Sequence, residues 1–131
     1  MDHITTVENF FKRWSTSYNE FCASFTDTFT ADAAWLAAPG IPETHGPAEA
    51  IALLDQFQAG YNMATVQVHM KRIRQTGEVV WTERVDDIKD FDGNLIVSIP
   101  IAGVLTLNDA GKITSYRDYW NMQEIQTKAL A

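Results

Sequence analysis

The chain has 131 residues, and we predict a single domain over residues 1–131, with a core large enough to enclose a small pocket. Hydrophobic residues make up 46% and charged residues 21% of the sequence, which is the balance of an ordinary soluble protein and excludes a disordered or membrane-embedded chain. Ten basic residues against seventeen acidic ones give a formal net charge of −7, which repels the phosphates of nucleic acids and anionic lipids and excludes both as partners.

The first predicted helix begins where Thr5 and Glu8 have the spacing of a capping box. Apolar residues then recur at helical intervals, which predicts an amphipathic helix. A shorter, aromatic-rich helix follows through Phe21 and Phe25. We interpret the aromatic residues of this region as core rather than as a ligand cage, because aromatic side chains dominate buried area: Phe10, Phe11, Trp14, Phe21, Phe25 and Phe29.

A short buried strand is predicted next, over residues 32–38, and it is stopped by Pro39 and Gly40. Pro47 suits the first turn of a third helix, where its missing N–H group costs nothing. Gly60 is the expected end of that helix.

From about residue 65 onward the pattern changes to period two, with turn signals at residues 75–77, 92–94 and 108–111. We predict four long antiparallel strands here and a short helix or tail after Asn121. Three helices together with a curved antiparallel sheet predict an α+β fold, in which the helices cover the concave face of the sheet.

The cysteine content and the N-terminal sequence indicate a reducing compartment. Cys22 is the one cysteine, so no internal disulfide can form. The N-terminal residues lack the basic-then-apolar layout of a secretion signal, and no apolar run approaches the roughly 20 residues that span a bilayer. We therefore predict a cytoplasmic protein.

One predicted strand places an arginine and an aspartate side by side. Side chains two positions apart share a face of a strand, so within residues 79–88 Arg84 and Asp86 lie on one face among apolar neighbours. The other face also mixes apolar and charged side chains. Alternation therefore pairs these two residues but does not say which face points inward.

A second carboxylate lies between two aromatic residues in the last predicted strand, where Tyr116, Asp118 and Trp120 share a face. If both strands line one cavity, Arg84 lies between Asp86 and Asp118, and repulsion between the carboxylates separates their proton affinities. One aspartate then serves as a base and the other as an acid, as the addition of water across a strained ring requires. A buried salt bridge without a catalytic role fits the same residues and stays open at this point.

Three ordered segments favour the catalytic interpretation: TERVD at residues 82–86, GVLTL at residues 103–107 and GKITSYRDYW at residues 111–120. Their order and spacing resemble the limonene-1,2-epoxide hydrolase family, whose pattern is T-E-R-x-D, then G-V-x-x-L, then G-K-I-T-x-x-R-D-Y-[FW]. The resemblance implies a nuclear-transport-factor-2-like α+β fold, in which a curved, mixed but mainly antiparallel sheet and three N-terminal helices form a cone-shaped pocket. It also implies a homodimer packed through the sheet.

The same resemblance implies one-step hydrolysis of a hydrophobic epoxide by water, without a cofactor. Carried over by position, Asp118 is the base that activates water, Asp86 is the acid that protonates the epoxide oxygen, and Arg84 bridges and orients both. His45 and His69 lack a second ligand at metal spacing, so we predict no metal site. The residues expected to contact the substrate are Trp35, Ile88, Ile99, Ile101, Trp120 and Ile125.

One pair of residues departs from the family pattern. Where the family has a tyrosine and, two positions later, an asparagine that hold the attacking water, this sequence has Trp35 and Ala37. Trp35 offers one N–H donor and Ala37 offers none, so part of the water-holding shell is missing. Tyr18, Tyr61 or Asn62 could supply the missing contact from a helix or loop.

Other functions therefore remain open beside hydrolysis. In a drier pocket the acid opens the epoxide and a base removes a carbon-bound proton, as in an epoxide isomerase or lyase. Ketosteroid-isomerase-like chemistry is a weaker alternative on the same fold, because Arg84 between the carboxylates keeps both ionised. A non-catalytic small-molecule-binding module is the last alternative, although a binder has no need of two carboxylates clamped by one arginine.

Overall fold

In residues 2–125, which the computed structural model describes, six strands form one curved, mixed sheet. The elements are α1 (His3–Lys12), a 3-10 turn (Arg13–Ser15), α2 (Tyr18–Thr28), β1 (Phe29–Leu36), β2 (Thr44–His45), α3 (Gly46–Tyr61), β3 (Thr65–Thr76), β4 (Val79–Lys89), β5 (Leu95–Leu107) and β6 (Ile113–Tyr119). The strand order is β2-β1-β6-β5-β4-β3, with β1 parallel to β6 and every other neighbouring pair antiparallel. This architecture confirms the predicted α+β fold with its curved, mainly antiparallel sheet.

Helix α1 begins earlier than the capping-box pattern indicates. Its N-cap is Asp2, whose carboxylate accepts a hydrogen bond from the backbone N–H of Thr5 at 2.7 Å. The prediction that Thr5 starts the helix was wrong, because an aspartate three residues earlier satisfies the free N–H groups of the first turn. Helix α2 begins after Ser17, whose hydroxyl accepts from the Glu20 N–H at 3.0 Å.

Helix α3 lies between β2 and β3 in the chain. It begins at Gly46, whose φ of +82° and close approach to the carbonyl oxygen of Ala31 leave no room for a side chain. Pro47 follows in the first turn, as predicted. The predicted end at Gly60 was wrong, because the helix continues past it and is closed by Asn62 in the left-handed conformation.

The tertiary structure decides which face of β4 points inward. Side chains at every second position of residues 80–88 are buried, whereas Trp81 is half exposed on the opposite face. Helices cover the inner face, and the ring of Phe11 lies 4.5 Å from the guanidinium carbon of Arg84. The face that carries Arg84 and Asp86 is therefore enclosed between the sheet and the helices.

The space between helices and sheet is filled by aromatic side chains. All the aromatic residues that the sequence analysis interpreted as core are buried: Phe10, Phe11, Trp14, Phe21, Phe25 and Phe29. Phe10 is central, because its ring packs edge-on against those of Trp14 and Phe25 at centroid distances of 5.4 and 5.3 Å. The core interpretation of this cluster is confirmed.

The end of the chain is described only in part. Residues 123–125 of the predicted terminal helix or tail are helical and Ile125 is buried against the core, whereas residues 126–131 lie outside the described residues. Within residues 2–125, every helix is too short or too polar to cross a bilayer.

Candidate active site

Arg84 lies between two carboxylates on the inner face of the sheet. Its Nε and Nη2 atoms donate to Oδ1 and Oδ2 of Asp86 at 3.0 and 3.3 Å. Its Nη1 and Nη2 atoms donate to Oδ1 and Oδ2 of Asp118 at 3.0 and 2.6 Å. All three residues are buried, with relative exposures of 1%, 3% and 4%. The structure thus brings together the residues predicted as bridge, acid and base.

The intervening strand, β5, explains how Asp118 reaches Arg84. Gly103 pairs with Thr82 of β4 on one side and with Asp118 of β6 on the other. A Cβ atom at Gly103 would lie 2.5 Å from both Arg84 Nη1 and Asp118 Oδ1, so the ion pair forms in space that a side chain would fill. Thr82 completes this side of the site, because its hydroxyl accepts from Arg84 Nη1 at 3.2 Å and donates to the Gly103 carbonyl at 3.0 Å.

The buried hydroxyl of Tyr116 is also part of the cluster. It donates to Asp118 Oδ2 at 2.5 Å and accepts from Arg84 Nη2 at 2.9 Å. Alternation along the strand places Tyr116 on the same face as Asp118, although no function was predicted for it. The spacing of two residues in one strand is the signal that points to this contact.

Burial and neighbouring charges shift the proton affinities of the site. Burial raises the pKa of Asp86 from 3.8 to about 6, with Arg84 opposing the rise and the charge of Asp118 adding to it. Burial also raises the pKa of Asp118, but Arg84 and a hydrogen bond from Tyr116 oppose that rise. Although burial disfavours its charge, the acidic neighbours hold the pKa of Arg84 well above its usual value. The site therefore keeps a positive charge between two carboxyl groups in different surroundings.

Both carboxyl groups lie in the wall of a cavity of about 70 Å³. The wall also contains every residue predicted to contact the substrate: Trp35, Ile88, Ile99, Ile101, Trp120 and Ile125. In the part of the chain that the structure describes, Asp86 and Asp118 are the only titratable groups of this wall. The Arg84 side chain lies behind them with no exposed surface. The cavity is therefore apolar except where the two carboxyl groups reach it.

The helices, the loop between α3 and β3 and the start of β3 supply lining residues that were not assigned to the site from the sequence: Trp14, Phe21, Leu54, Phe57, Met63 and Val66. Trp14 and Phe21 were interpreted as core, and Leu54 and Phe57 lie on the side of α3 that packs against the core. Periodicity identifies buried side chains, but it does not separate those that face a cavity from those that fill the core.

The end of strand β1 brings Trp35, and Ala37 just after it, to the cavity wall beside β6. Trp35 pairs with Tyr116 in the parallel ladder, and their rings stack with centroids 6.0 Å apart. The Trp35 Nε1 atom is buried without a hydrogen-bond partner among the described residues. Two residues on, the carbonyl of Ala37 accepts from Trp120 Nε1 at 2.7 Å. Apart from the Trp35 N–H group, the side chains of the pair offer nothing that could hold water.

None of the three suggested substitutes for the water-holding residues lines the cavity. Tyr18 donates its hydroxyl to Asp55 at 2.6 Å, and Tyr61 packs against the ring of Phe57. Asn62 is exposed where it closes α3. The suggestion was wrong, because a hydrogen bond to Asp55, a ring contact with Phe57 and an exposed position at the end of α3 keep these side chains away from the cavity wall.

His45 and His69 lie outside the cavity wall. The Nε2 atom of His69 is 2.9 Å from a carboxylate oxygen of Asp87, and that of His45 is 3.4 Å from Glu43. Over residues 2–125, no three His, Cys, Asp or Glu side chains form a group that could hold a metal ion.

Comparison with known proteins matches the chain to one family. The model of the limonene-1,2-epoxide hydrolase catalytic domain matches residues 1–130. Among solved structures, an LEH-like epoxide hydrolase from M. tuberculosis is 26% identical with a TM-score of 0.74, over 98% of this chain and 89% of that one. Among curated proteins, no significant sequence match is found.

Two more distant structures share the fold. The epoxide hydrolase/cyclase-like enzyme SalBIII, which has a role in pyran ring formation in salinomycin, is 20% identical with a TM-score of 0.72, over 93% of this chain and 92% of that one. An NTF2-like protein of unknown function from Burkholderia pseudomallei is 14% identical with a TM-score of 0.80, and all of both chains is covered. Proteins with little sequence identity to this chain therefore share its fold.

Proposed function

Because the matching family model spans nearly the whole chain, the protein belongs to the limonene-1,2-epoxide hydrolase family, and we propose that it adds water to a hydrophobic epoxide to give a vicinal diol. The observation that carries this proposal is the pair of carboxyl groups that Arg84 holds in the wall of an otherwise apolar cavity. An apolar wall suits a hydrophobic substrate, and the carboxyl groups supply an acid and a base at one end of it.

The hydrogen bonds around the two aspartates support Asp118 as the base and Asp86 as the acid. Asp118 accepts three hydrogen bonds, two of them at 2.6 Å or less, which favour its ionised form. Asp86 accepts two longer hydrogen bonds from Arg84, and its pKa is raised to about 6, which favours retention of its proton. The surroundings therefore favour an ionised Asp118 and a protonated Asp86, as the reaction requires of its base and its acid.

The proposed reaction is a single displacement. Asp118 takes a proton from water as the water oxygen attacks an epoxide carbon, and Asp86 gives its proton to the ring oxygen as the carbon–oxygen bond breaks. One carboxyl group gains a proton and the other loses one, so solvent exchange restores the starting state. Arg84 keeps its charge throughout and holds both carboxyl groups in place.

Replacement of Asp118 by asparagine tests this proposal. We expect Asp118→Asn to reduce diol formation from limonene-1,2-epoxide at least about 100-fold, because asparagine cannot accept the proton of water. Asp87→Asn is the matched control, since Asp87 lies on the opposite face, bonded to Ser98 and His69. Product analysis by mass spectrometry and the circular dichroism of both variants are the measurements. Unchanged turnover in a folded Asp118→Asn protein would contradict the proposed mechanism.

Epoxide isomerisation is a second candidate, and the Trp35 and Ala37 wall favours it. Their side chains offer attacking water only the Trp35 N–H group, so a proton on a neighbouring carbon of the substrate competes with water for the base. Loss of that proton as the ring opens gives an allylic alcohol or a carbonyl compound. Incubation in heavy-oxygen water with mass analysis separates the two reactions, because a diol gains one labelled hydroxyl group, whereas an allylic alcohol keeps only the epoxide oxygen. A carbonyl isomer is recognised by its lower mass, since its oxygen exchanges with water.

A further inference from the structure

The hydrogen bonds around Asp118 distinguish its two oxygens. A carboxylate has about four acceptor positions, two on each oxygen. Oδ2 accepts from Arg84 Nη2 at 2.6 Å and from the Tyr116 hydroxyl at 2.5 Å, so both of its positions are used. Among the described residues, Oδ1 accepts a side-chain hydrogen bond only from Arg84 Nη1, at 3.0 Å. The open acceptor position of Asp118 is therefore on Oδ1.

The Tyr116 hydroxyl is held in this contact by its surroundings. Its oxygen accepts from Arg84 Nη2, a group that can only donate, so the hydroxyl hydrogen is left to point at Asp118. The ring is fully buried, stacks on Trp35 and meets the ring of Phe11 edge-on. Rotation of the Asp118 carboxyl group would break its contacts with both Tyr116 and Arg84.

We propose that Tyr116 is a positioning residue that fills Oδ2 of Asp118 and so commits Oδ1 to accept the proton of the attacking nucleophile. This inference rests on the proposed function, because it assigns an atom to the base of that reaction. Tyr116 does not line the cavity, so it acts through Asp118. A carboxylate without this contact samples orientations in which the basic oxygen is misplaced, and misplaced groups react more slowly.

The charged groups around Asp118 determine whether loss of the Tyr116 hydroxyl raises or lowers the pKa of this aspartate. Arg84 and Asp86 approach it from β4 and Tyr116 from its own strand, and within residues 2–125 the neighbouring strands β1 and β5 bring no titratable group to it. Burial raises the pKa of Asp118, and hydrogen bonds from Arg84 and Tyr116 oppose the rise. Removal of the Tyr116 hydroxyl should raise this pKa further, because one of the opposing hydrogen bonds is lost.

Tyr116→Phe removes the hydroxyl and keeps the ring. We expect kcat to fall about tenfold or more, and the low-pH limb of the pH–rate profile to move to higher pH. Tyr18→Phe is the matched control, since it also removes a tyrosine–aspartate hydrogen bond, but outside the cavity wall. Tyr18→Phe should leave kcat and the low-pH limb of the pH–rate profile unchanged. A fall in kcat without movement of the low-pH limb would reveal a merely structural role and overturn the proposal.

A titration of Asp118 that needs no turnover separates this proposal from the proposed function. Carbon NMR of protein labelled at the aspartate carboxyl groups follows Asp118, and Asp118→Asn identifies its signal. We expect the titration midpoint to rise in Tyr116→Phe and to fall when Tyr116 is replaced by a ring-fluorinated tyrosine, whose phenol is a stronger donor. If Tyr116→Phe does not fold, the titration midpoint of Asp118 in the fluorinated protein tests the proposal by itself. A midpoint that stays constant overturns the inference, whereas a wild-type protein without turnover overturns only the proposed function.

Discussion

Arg84 uses all its N–H groups inside the protein. It donates to Asp86 and Asp118 and also to Thr82 and Tyr116, so its charge is buried with a full set of acceptors. Removal of one partner from a buried ion pair commonly costs about 3 to 5 kcal/mol, because the remaining charge stays buried without compensation. The protonation of each aspartate should therefore affect stability as well as chemistry.

The pH dependence of stability provides a test at Asp86. Its pKa is 3.8 as an ordinary aspartate and about 6 in the folded protein, so folding tightens proton binding. As pH rises from about 4 to about 6, its contribution to the free energy of unfolding falls by up to about 3 kcal/mol, at about 1.4 kcal/mol for each pKa unit. We expect the stability of Asp86→Asn relative to wild type to increase across this window and to level off above it.

Urea unfolding of both proteins at several pH values measures this difference. Because asparagine does not titrate, acidic residues far from position 86 contribute equally to both proteins and cancel in the comparison, whereas Asp118 is coupled to Asp86 and contributes to the difference. A stability difference that does not change between acid and neutral pH would show that Asp86 has an ordinary pKa in the folded protein.

At the scale of elements, β5 separates the two strands that carry the aspartates. Its inner face carries large apolar residues on both sides of Gly103. Because Gly103 has no side chain, Arg84 and Asp118 can meet above β5 at that position. The glycine of the family motif thus has a steric explanation in this protein. The strand pairs β4–β5 and β5–β6 set the distance between the acid and the base.

Gly103→Ala tests this explanation. The added Cβ would lie 2.5 Å from Arg84 Nη1 and from Asp118 Oδ1, so we expect the ion pair to separate and turnover to fall about 100-fold. The destabilisation should be about 1 to 3 kcal/mol, as for other overpacked sites. Gly60→Ala is the control, because Gly60 lies within α3 with no atom near its added Cβ. It should be stabilising by up to about 1 kcal/mol.

Turnover assays and chemical unfolding of the two alanine variants are the measurements. Equal activity of Gly103→Ala and wild type would show that the Arg84–Asp118 contact tolerates the extra carbon or is not needed for the reaction.

At the scale of the whole molecule, the outer face of the sheet exposes aromatic surface that the monomer does not use. Trp81 is 51% and Tyr119 is 44% exposed. In the strand ladders, Trp81 pairs with Val104 and Tyr119 with Ala102, so the two aromatic residues and their apolar partners lie beside Glu83 and Arg117 on this face. We propose that a second copy of the chain covers this face, as the family resemblance implies.

Trp81→Lys tests the proposed homodimer. A charge in place of an aromatic residue near the centre of an interface commonly costs 2 kcal/mol or more, a weakening of about 30-fold or greater. We expect light scattering to give a dimer mass for wild type and a smaller mass at low concentration for the variant. Phe91→Lys is the control, because Phe91 is also exposed but lies in the turn between β4 and β5. A monomeric wild type would contradict the proposal.

Local periodicity was enough to predict most elements of this fold. The change from helical spacing to period two near residue 65 located the four long strands, and the spacing of two residues paired Arg84 with Asp86. The start of α1 was misplaced because two capping side chains, those of Asp2 and Thr5, compete within a few residues. The catalytic roles of the aspartates stay predictions, since geometry shows their proximity and not their reaction.

The sequence by itself determined the α+β fold and the family, because periodicity and motif order can be read along the chain. The family resemblance also located part of the apolar cavity wall, namely the residues expected to contact the substrate. Only the tertiary structure decided which face of β4 is enclosed and how Asp118 meets Arg84, 34 residues earlier in the chain. It also decided that the Tyr116 hydroxyl bonds that aspartate and that Gly103 leaves space for the ion pair. These contacts depend on the register of three strands, which strand pairing sets across the sheet and no local pattern encodes.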